Sequence, residues 1–178
     1  MDGKVASFIN QIYKPALRHW FFFVDLIFGS EKRKIEARMT CPFCEVLVSK
    51  KERVLVEKLH VFVMLSDPRL MPGHLLVIPK RHVEKLSELL EAERKELFDV
   101  VIEAEEKILR EVASGCDIGQ HFRPFIYQNK LKVNHLHVHL RPRELKDELY
   151  EKSQIYEKDV FKDLSQEEFD RFKKVFNN

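Results

Sequence analysis

His135-Leu136-His137-Val138-His139-Leu140 is the stretch on which the reading of this chain turns. In an extended strand successive side chains point to opposite faces. The three imidazoles therefore share one face, about 6.6 Å apart at two residues' rise. Leu136, Val138 and Leu140 then point the other way, into a core. A row of imidazoles sets proton donors, acceptors and nucleophiles that work near neutral pH on a single surface. Metal ligation and nucleophilic or acid–base chemistry are its two functional readings, set against a merely polar strand face.

Working outward, Val54–Val56, Val61–Leu65 and Leu75–Ile78 are short β-branched or apolar runs. Turn signals at Asp67-Pro68 and Pro72-Gly73 separate them, so they read as strands and most simply as antiparallel neighbours. Leu97, Val100, Val101, Ala104, Ile108 and Val112 recur at helical spacing and predict a long helix, with Gly115 as its stop. Two further strands are expected near 123–128 and 132–140, with a tight turn at Asn129-Lys130. Strands, a long helix and strands again make an α+β order.

The ends differ in character. Val5, Phe8, Ile9, Ile12 and Tyr13, then Leu17, Trp20, Phe21 and Val24 beyond Pro15, predict a helical extension over 1–38 that packs on the protein's own core. The tail over 144–178 is charged, and Ser165 with Glu168 forms a capping-box signal for a terminal helix before Phe169, Phe172 and Phe176. With 31 basic against 29 acidic residues, the net charge of +2 argues against a dedicated nucleic-acid-binding domain. Charged residues at 34% and apolar ones at 44% describe a folded, soluble chain. The aromatic run Trp20 to Phe28 is broken by Asp25 and falls far short of the ~20 residues that span a bilayer. The start lacks the pattern of a signal peptide, and three cysteines are too few for a disulfide scaffold, so a cytoplasmic, reducing compartment is expected.

Cys41-Pro42-Phe43-Cys44 has the C-x-x-C spacing of two thiolates on one zinc ion, which needs two more ligands to close a tetrahedron. Plain buried thiols and a redox pair are the other readings. The redox reading wants a βαβ context that the pattern lacks. Cys116 has no partner in sequence and reads as a loop or core thiol. His19, His60 and His121 belong to no constellation and read as surface or packing residues. His74, after Pro72-Gly73 at a strand start, is either a turn residue or a member of the site.

The histidine row with Pro142-Arg143 behind it, Pro72-Gly73-His74-Leu-Leu-Val-Ile-Pro79-Lys80-Arg81-His82, and Cys41-Pro-Phe-Cys44 together resemble the histidine-triad (HIT) family of nucleotide hydrolases and transferases. Order and spacing of all three agree over residues 41–143. The resemblance implies an α+β, HIT-like fold over 39–143, with a five-stranded antiparallel sheet and a long helix, flanked by the N- and C-terminal helical extensions and usually paired as a homodimer. It also implies attack on the α-phosphate of a purine nucleotide conjugate, either a phosphoramidate or a dinucleoside polyphosphate.

By position His137 would be the nucleophile, with His139 and His74 serving the phosphate or the leaving group. A neutral imidazole suits that role, provided that Nδ1 carries the proton and donates it, most simply to a main-chain carbonyl. In some relatives a downstream histidine and the first triad histidine complete a zinc site. The matching set is Cys41, Cys44, His82 and His135, and four protein ligands would make the zinc structural. Ser66 and Asp67 fall at the ribose-contacting position, and Gln128 and Asn129 where the family places an amide side chain. Phe62 and Leu65 are candidates for the base pocket or plain core residues. The loop before the triad is short and carries Leu131 where relatives have a polar phosphate contact. That departure favours a second reading, a nucleotide-binding or scaffold protein with little turnover.

Overall fold

The computed structural model describes residues 41–129, 131–154 and 161–176. The helical expectation for 1–38 lies outside them. Helix α1 (Pro42–Ser49) begins directly after Cys41, and Pro42 at its first position costs nothing because that N–H has no intrahelical acceptor. Strands β1 (Val54–Glu57), β2 (Val61–Leu65) and β3 (Leu75–Pro79) follow, then the long helix α2 (Glu91–Glu111), β4 (Gly115–Gln120), β5 (Val138–Arg143) and the terminal helix α3 (Gln166–Phe176). The strands form one sheet in the order β1-β2-β3-β5-β4, every neighbouring pair antiparallel.

The sheet has two apolar faces because its central strands alternate between two sets of buried side chains. Val61, Val63, Val77, Val138 and Leu140 face α2, which meets them with Leu97, Val100, Val101, Ala104 and Ile108. Fully burying Leu97, at 0% exposure, is worth about 2 kcal/mol. The side chains between them, Phe62, Met64, Leu76 and Ile78, face α1 and pack with Cys41, Phe43, Cys44 and Val46. Leu136 joins the α2 side. His137 and His139, offset by one residue from Leu136, Val138 and Leu140, therefore lie on the α1 side. The Pro72-Gly73 turn delivers His74 to the start of β3. Gly73 has φ +74, and a Cβ there would come within 3.1 Å of Pro142 Cγ, so both conformation and space require glycine.

Two expectations are corrected. No strand occupies 123–128; residues 121–137 form the loop between β4 and β5, and only an isolated bridge, Asn129 with Lys132, marks the turn. Pro124 has no N–H to offer a ladder, and Phe125 and Tyr127 stand exposed without a surface to pack on. The strand that pairs with β5 is instead Gly115–Gln120, in register from Gly115 with Arg143 to Gln120 with Val138. Gly115 thus opens an edge strand, the helix having ended at Glu111. Cys116 lies on that strand and packs partly buried against the α2-side core. The capping signal at the C-terminus is realised: the Glu168 N–H donates to Ser165 Oγ at 3.2 Å, opening α3.

Candidate active site and metal centre

Two clusters of imidazoles occupy the α1 side of the sheet, and His135 links them. In the first, one ligand atom from each of Cys41, Cys44, His82 and His135 lies within 4.8 Å of every other. They arrive from three places: the start of α1, the segment after β3, and the approach to β5. Cys41 and His135 are each 2% exposed. Cys41 Sγ is 3.3 Å from His135 Nδ1, while Cys44 Sγ is 3.6 Å from the same atom and 3.5 Å from His82 Nδ1. Four-coordinate zinc, with bonds of about 2.3 Å to sulfur and about 2.05 Å to nitrogen, requires S···N separations of about 3.6 Å.

The donor chemistry fits as well. His135 Nε2 donates to the Pro79 carbonyl at 2.9 Å, which leaves the Nδ1 lone pair facing the sulfurs as a metal-bound imidazole requires. The neighbouring Cys44 sulfur holds the Cys41 thiol well below its ordinary range, against the opposing effect of burial, with His135 and His82 assisting. A thiolate is the ligating form. The residues present therefore fit a Cys2His2 zinc site.

The second cluster lines a cavity of about 380 Å3. His137 Nδ1 donates to the carbonyl of His135 at 2.6 Å, so Nε2 carries the lone pair. The Leu70 N–H donates to His74 Nδ1 at 3.2 Å, which puts the His74 proton on Nε2. That proton is donated to His139 Nδ1 at 2.9 Å, which in turn puts the His139 proton on Nε2. One main-chain N–H and one main-chain carbonyl thereby set three tautomers.

Burial keeps all three rings neutral. It lowers His137, and it lowers His74 to about 4 and His139 to about 3, with neighbouring rings and Arg141 adding to the effect on the last two. The His137 and His139 rings meet edge to face at 4.7 Å between centroids, and Phe43 stands edge-on to His137 at 5.1 Å. The result is a nucleophilic nitrogen beside a fixed N–H donor, on an apolar wall of Phe43, Val46, Met64 and Leu76.

Not every expected residue reaches this cavity. Ser66, Asp67 and Asn129 line it. Ser66 Oγ donates to the Pro68 carbonyl at 2.8 Å, Asp67 faces Arg53 at 3.4 Å, and Asn129 Oδ1 accepts from the Leu131 N–H at 2.7 Å. Gln128 does not line it; its Oε1 accepts from the Asn134 N–H at 3.1 Å and braces its own loop. Phe62 and Leu65 are absent from the wall as well. Phe62 is fully buried in the α1-side core, and Leu65, one residue beyond Met64, falls on the other side of β2 and is half-exposed. Met64 takes the wall position instead. Leu131, the apolar departure in the loop, sits at the cavity edge.

Two residues of the wall went unread in the sequence. His121, which reads as a packing residue, lies with its ring 5.2 Å from that of His139. Arg141 continues the histidine row by one more alternation. The period of two that selects the histidines also selects Arg141, so its signal was present. His121 has no sequence signal of its own, because β4 brings it to the site by pairing.

The family model described as HIT domain matches residues 48–145. Among curated proteins, galactose-1-phosphate uridylyltransferase of Thermotoga maritima is 28% identical over 130 residues, which cover 67% of this chain and 38% of that one. The asymmetrical bis(5'-nucleosyl)-tetraphosphatase of Schizosaccharomyces pombe is 36% identical over 87 residues, covering 44% and 42%. The chain thus spans less than half the length of these curated relatives. Among solved structures, a HIT family protein from Bacillus anthracis superposes with a TM-score of 0.59 at 23% identity, covering 78% of this chain and 96% of that one. A zinc-bound histidine triad family protein from Mycobacterium smegmatis gives 0.52 at 26% identity, covering 63% and 81%. With the family model matched across more than half of its residues, on the segment that carries the histidine row, this chain belongs to the HIT-domain family.

Proposed function

We propose that this protein is a zinc-containing nucleotide hydrolase or nucleotidyl transferase that works through a nucleotidyl–His137 intermediate. The observation that carries the reading is the pair of opposed tautomers: His137 presents a bare Nε2 and His139 presents Nε2–H, side by side in one cavity. The named activities of the uridylyltransferase and tetraphosphatase relatives support the same class of substrate. Residues 39–143 would form the catalytic unit, with 1–38 and 144–178 as extensions and a homodimer as the assembled form.

The chemistry follows from the neutral rings. His137 Nε2 attacks the α-phosphorus in line, and the bond from phosphorus to the leaving group breaks with the electron pair going to that group. The imidazole gains positive charge as it bonds, and its Nδ1–H bond to the His135 carbonyl strengthens accordingly; a hydrogen bond to a charged group is worth about 1.5–3 kcal/mol. His139 donates Nε2–H to the phosphoryl oxygens. Giving that proton up outright would leave an imidazolate, so the neutral ring acts as an electrostatic donor. Water then attacks phosphorus, releases the nucleoside monophosphate and returns the electron pair to His137 Nε2.

Cys41, Cys44, His82 and His135 would hold a zinc ion, which would supply a structural cross-link rather than a substrate-binding position. His135 serves both parts, since its ring faces the thiolates and its carbonyl orients the nucleophile. Ser66, Asp67 and Asn129, which line the cavity, would meet the ribose and phosphates, and the Met64 side of the wall would meet the base.

The deciding experiment is mass spectrometry of protein quenched during turnover of adenosine phosphoramidate and of a diadenosine polyphosphate. The wild type should carry an adenylyl adduct on His137. His137→Ala should bind AMP and form none. A wild type that binds AMP yet turns over neither substrate would be a nucleotide-binding protein instead.

A further inference from the structure

Arg141 is unexplained by the fold. It follows His137, just ahead of β5, and His139, on β5, at the same two-residue interval and lines the cavity. Its register partner on β4 is Asp117, but that carboxylate is engaged by Arg143. Among the described residues Arg141 has no ion pair, and its Nε is buried without a hydrogen-bond partner. A guanidinium nitrogen shut off from water and given no acceptor is costly, and in a cavity wall a bound ligand is one way to complete it.

The direction of the side chain is informative. Gly119 lies opposite His139 in the ladder, and a Cβ on it would come within 3.2 Å of Arg141 Nη2 and 4.0 Å of His121 Nε2. The guanidinium therefore folds back over Gly119 toward His139, so closely that a Cβ there would crowd it. Arg53, another arginine of the wall, already faces Asp67. From the residue before β5 onward, the order on this face is proposed nucleophile, N–H donor, cation.

We propose that Arg141 is a specificity-determining residue that binds a phosphate of the leaving group, so that the preferred substrates are nucleotides joined through a phosphoanhydride rather than a phosphoramidate. This rests on His137 as the nucleophile. In-line displacement sends the leaving group away from His137, and Arg141 stands two alternations from His137 on the same cavity wall. The planar fork of a guanidinium matches phosphate oxygens in a bidentate fashion. The leaving groups also differ in what they require. An amine must be protonated to depart, and a guanidinium, always charged and with no proton to give, does nothing for it. A phosphate departs as an anion, needs no proton, and is stabilised by a fixed cation.

The test compares full-length wild type, Arg141→Gln and Arg141→Lys on diadenosine tetraphosphate and on adenosine phosphoramidate. Losing a charge-assisted contact should lower kcat/KM for the tetraphosphate by about 10- to 100-fold in Arg141→Gln. Arg141→Lys, which keeps the charge but not the fork, should recover part of that loss. Turnover of the phosphoramidate should hold or rise. Equal loss on both substrates, or no loss on either, overturns the proposal.

A second measurement is independent of turnover. In a His137→Ala background, calorimetry should show ADP binding more tightly than AMP, and adding Arg141→Gln should remove that advantage. If the advantage is absent, or survives the substitution, Arg141 does not hold the second phosphate. If it behaves as expected but wild type forms no adduct, the covalent reading fails while the phosphate site stands.

Discussion

Removing the metal should unfasten three separate parts of the chain at once. Cys41 and Cys44 open α1, His82 follows β3, and His135 leads into β5. Three of their sulfur–nitrogen separations, 3.3, 3.5 and 3.6 Å, are close to what four-coordinate zinc imposes, which favours binding. Because the unfolded chain lacks the assembled site, binding free energy becomes folding free energy. With free zinc at 100 times Kd the contribution is about 2.7 kcal/mol. For a chain of this size each kcal/mol moves Tm by about 2–4 °C, so a chelator should lower Tm by about 5–11 °C.

The assay is thermal unfolding of protein purified without added zinc, with and without chelator, alongside elemental analysis. About one zinc per chain is expected. Cys44→Ser should lose both the metal and the chelator effect, whereas His137→Ala should keep both, because its ring faces the cavity and not the sulfurs. Metal-free protein whose Tm is indifferent to the chelator would refute the reasoning.

Long-range 1H–15N NMR should find neutral rings at pH 7, with the proton on Nδ1 of His137 and on Nε2 of His74 and His139; any ring with the opposite tautomer breaks the hydrogen-bond chain argued from Leu70 and the His135 carbonyl. Acid should destabilise the fold. His74 titrates at about 4 folded against 6.5 unfolded, so its contribution is complete above 6.5 and is lost as pH falls toward 4, by about 1.4 kcal/mol per pH unit for one fully separated ring. Urea midpoints across that window should therefore drop, with a shallower slope in His74→Gln. Glu93, 6% exposed, grips Arg81 at 2.8 and 2.6 Å and accepts the Leu90 N–H at the start of α2. Glu93→Gln should cost about 1–3 kcal/mol and, by freeing the residue beside His82, weaken zinc retention in a chelator competition.

The period of two around His135, His137 and His139 was enough to separate a chemical face from a core face, although β5 starts only at Val138 and the two earlier histidines carry the alternation back into the loop. The Cys41, Cys44, His82 and His135 set was legible through resemblance, and the apolar spacing of α2 through its contact with the sheet. What pairing decides was not legible. The strand beside β5 proved to be Gly115–Gln120, a polar edge strand with weak β propensity, while the more apolar 123–128 stayed a loop; hydrogen-bond register, a property of two segments, chose between them.

The same pairing brought His121 to the cavity and turned the Arg141 head over Gly119. The packing of β2 in the sheet put Met64 on the wall where Phe62 and Leu65 were expected. Tautomers belong wholly to the tertiary structure. Which nitrogen of His137 or His139 is bare depends on a carbonyl two residues back and on a main-chain N–H at Leu70, and only folding places those groups within hydrogen-bond reach. Composition and spacing select which residue types share a face; the donor or acceptor each one meets is set by its neighbours in space.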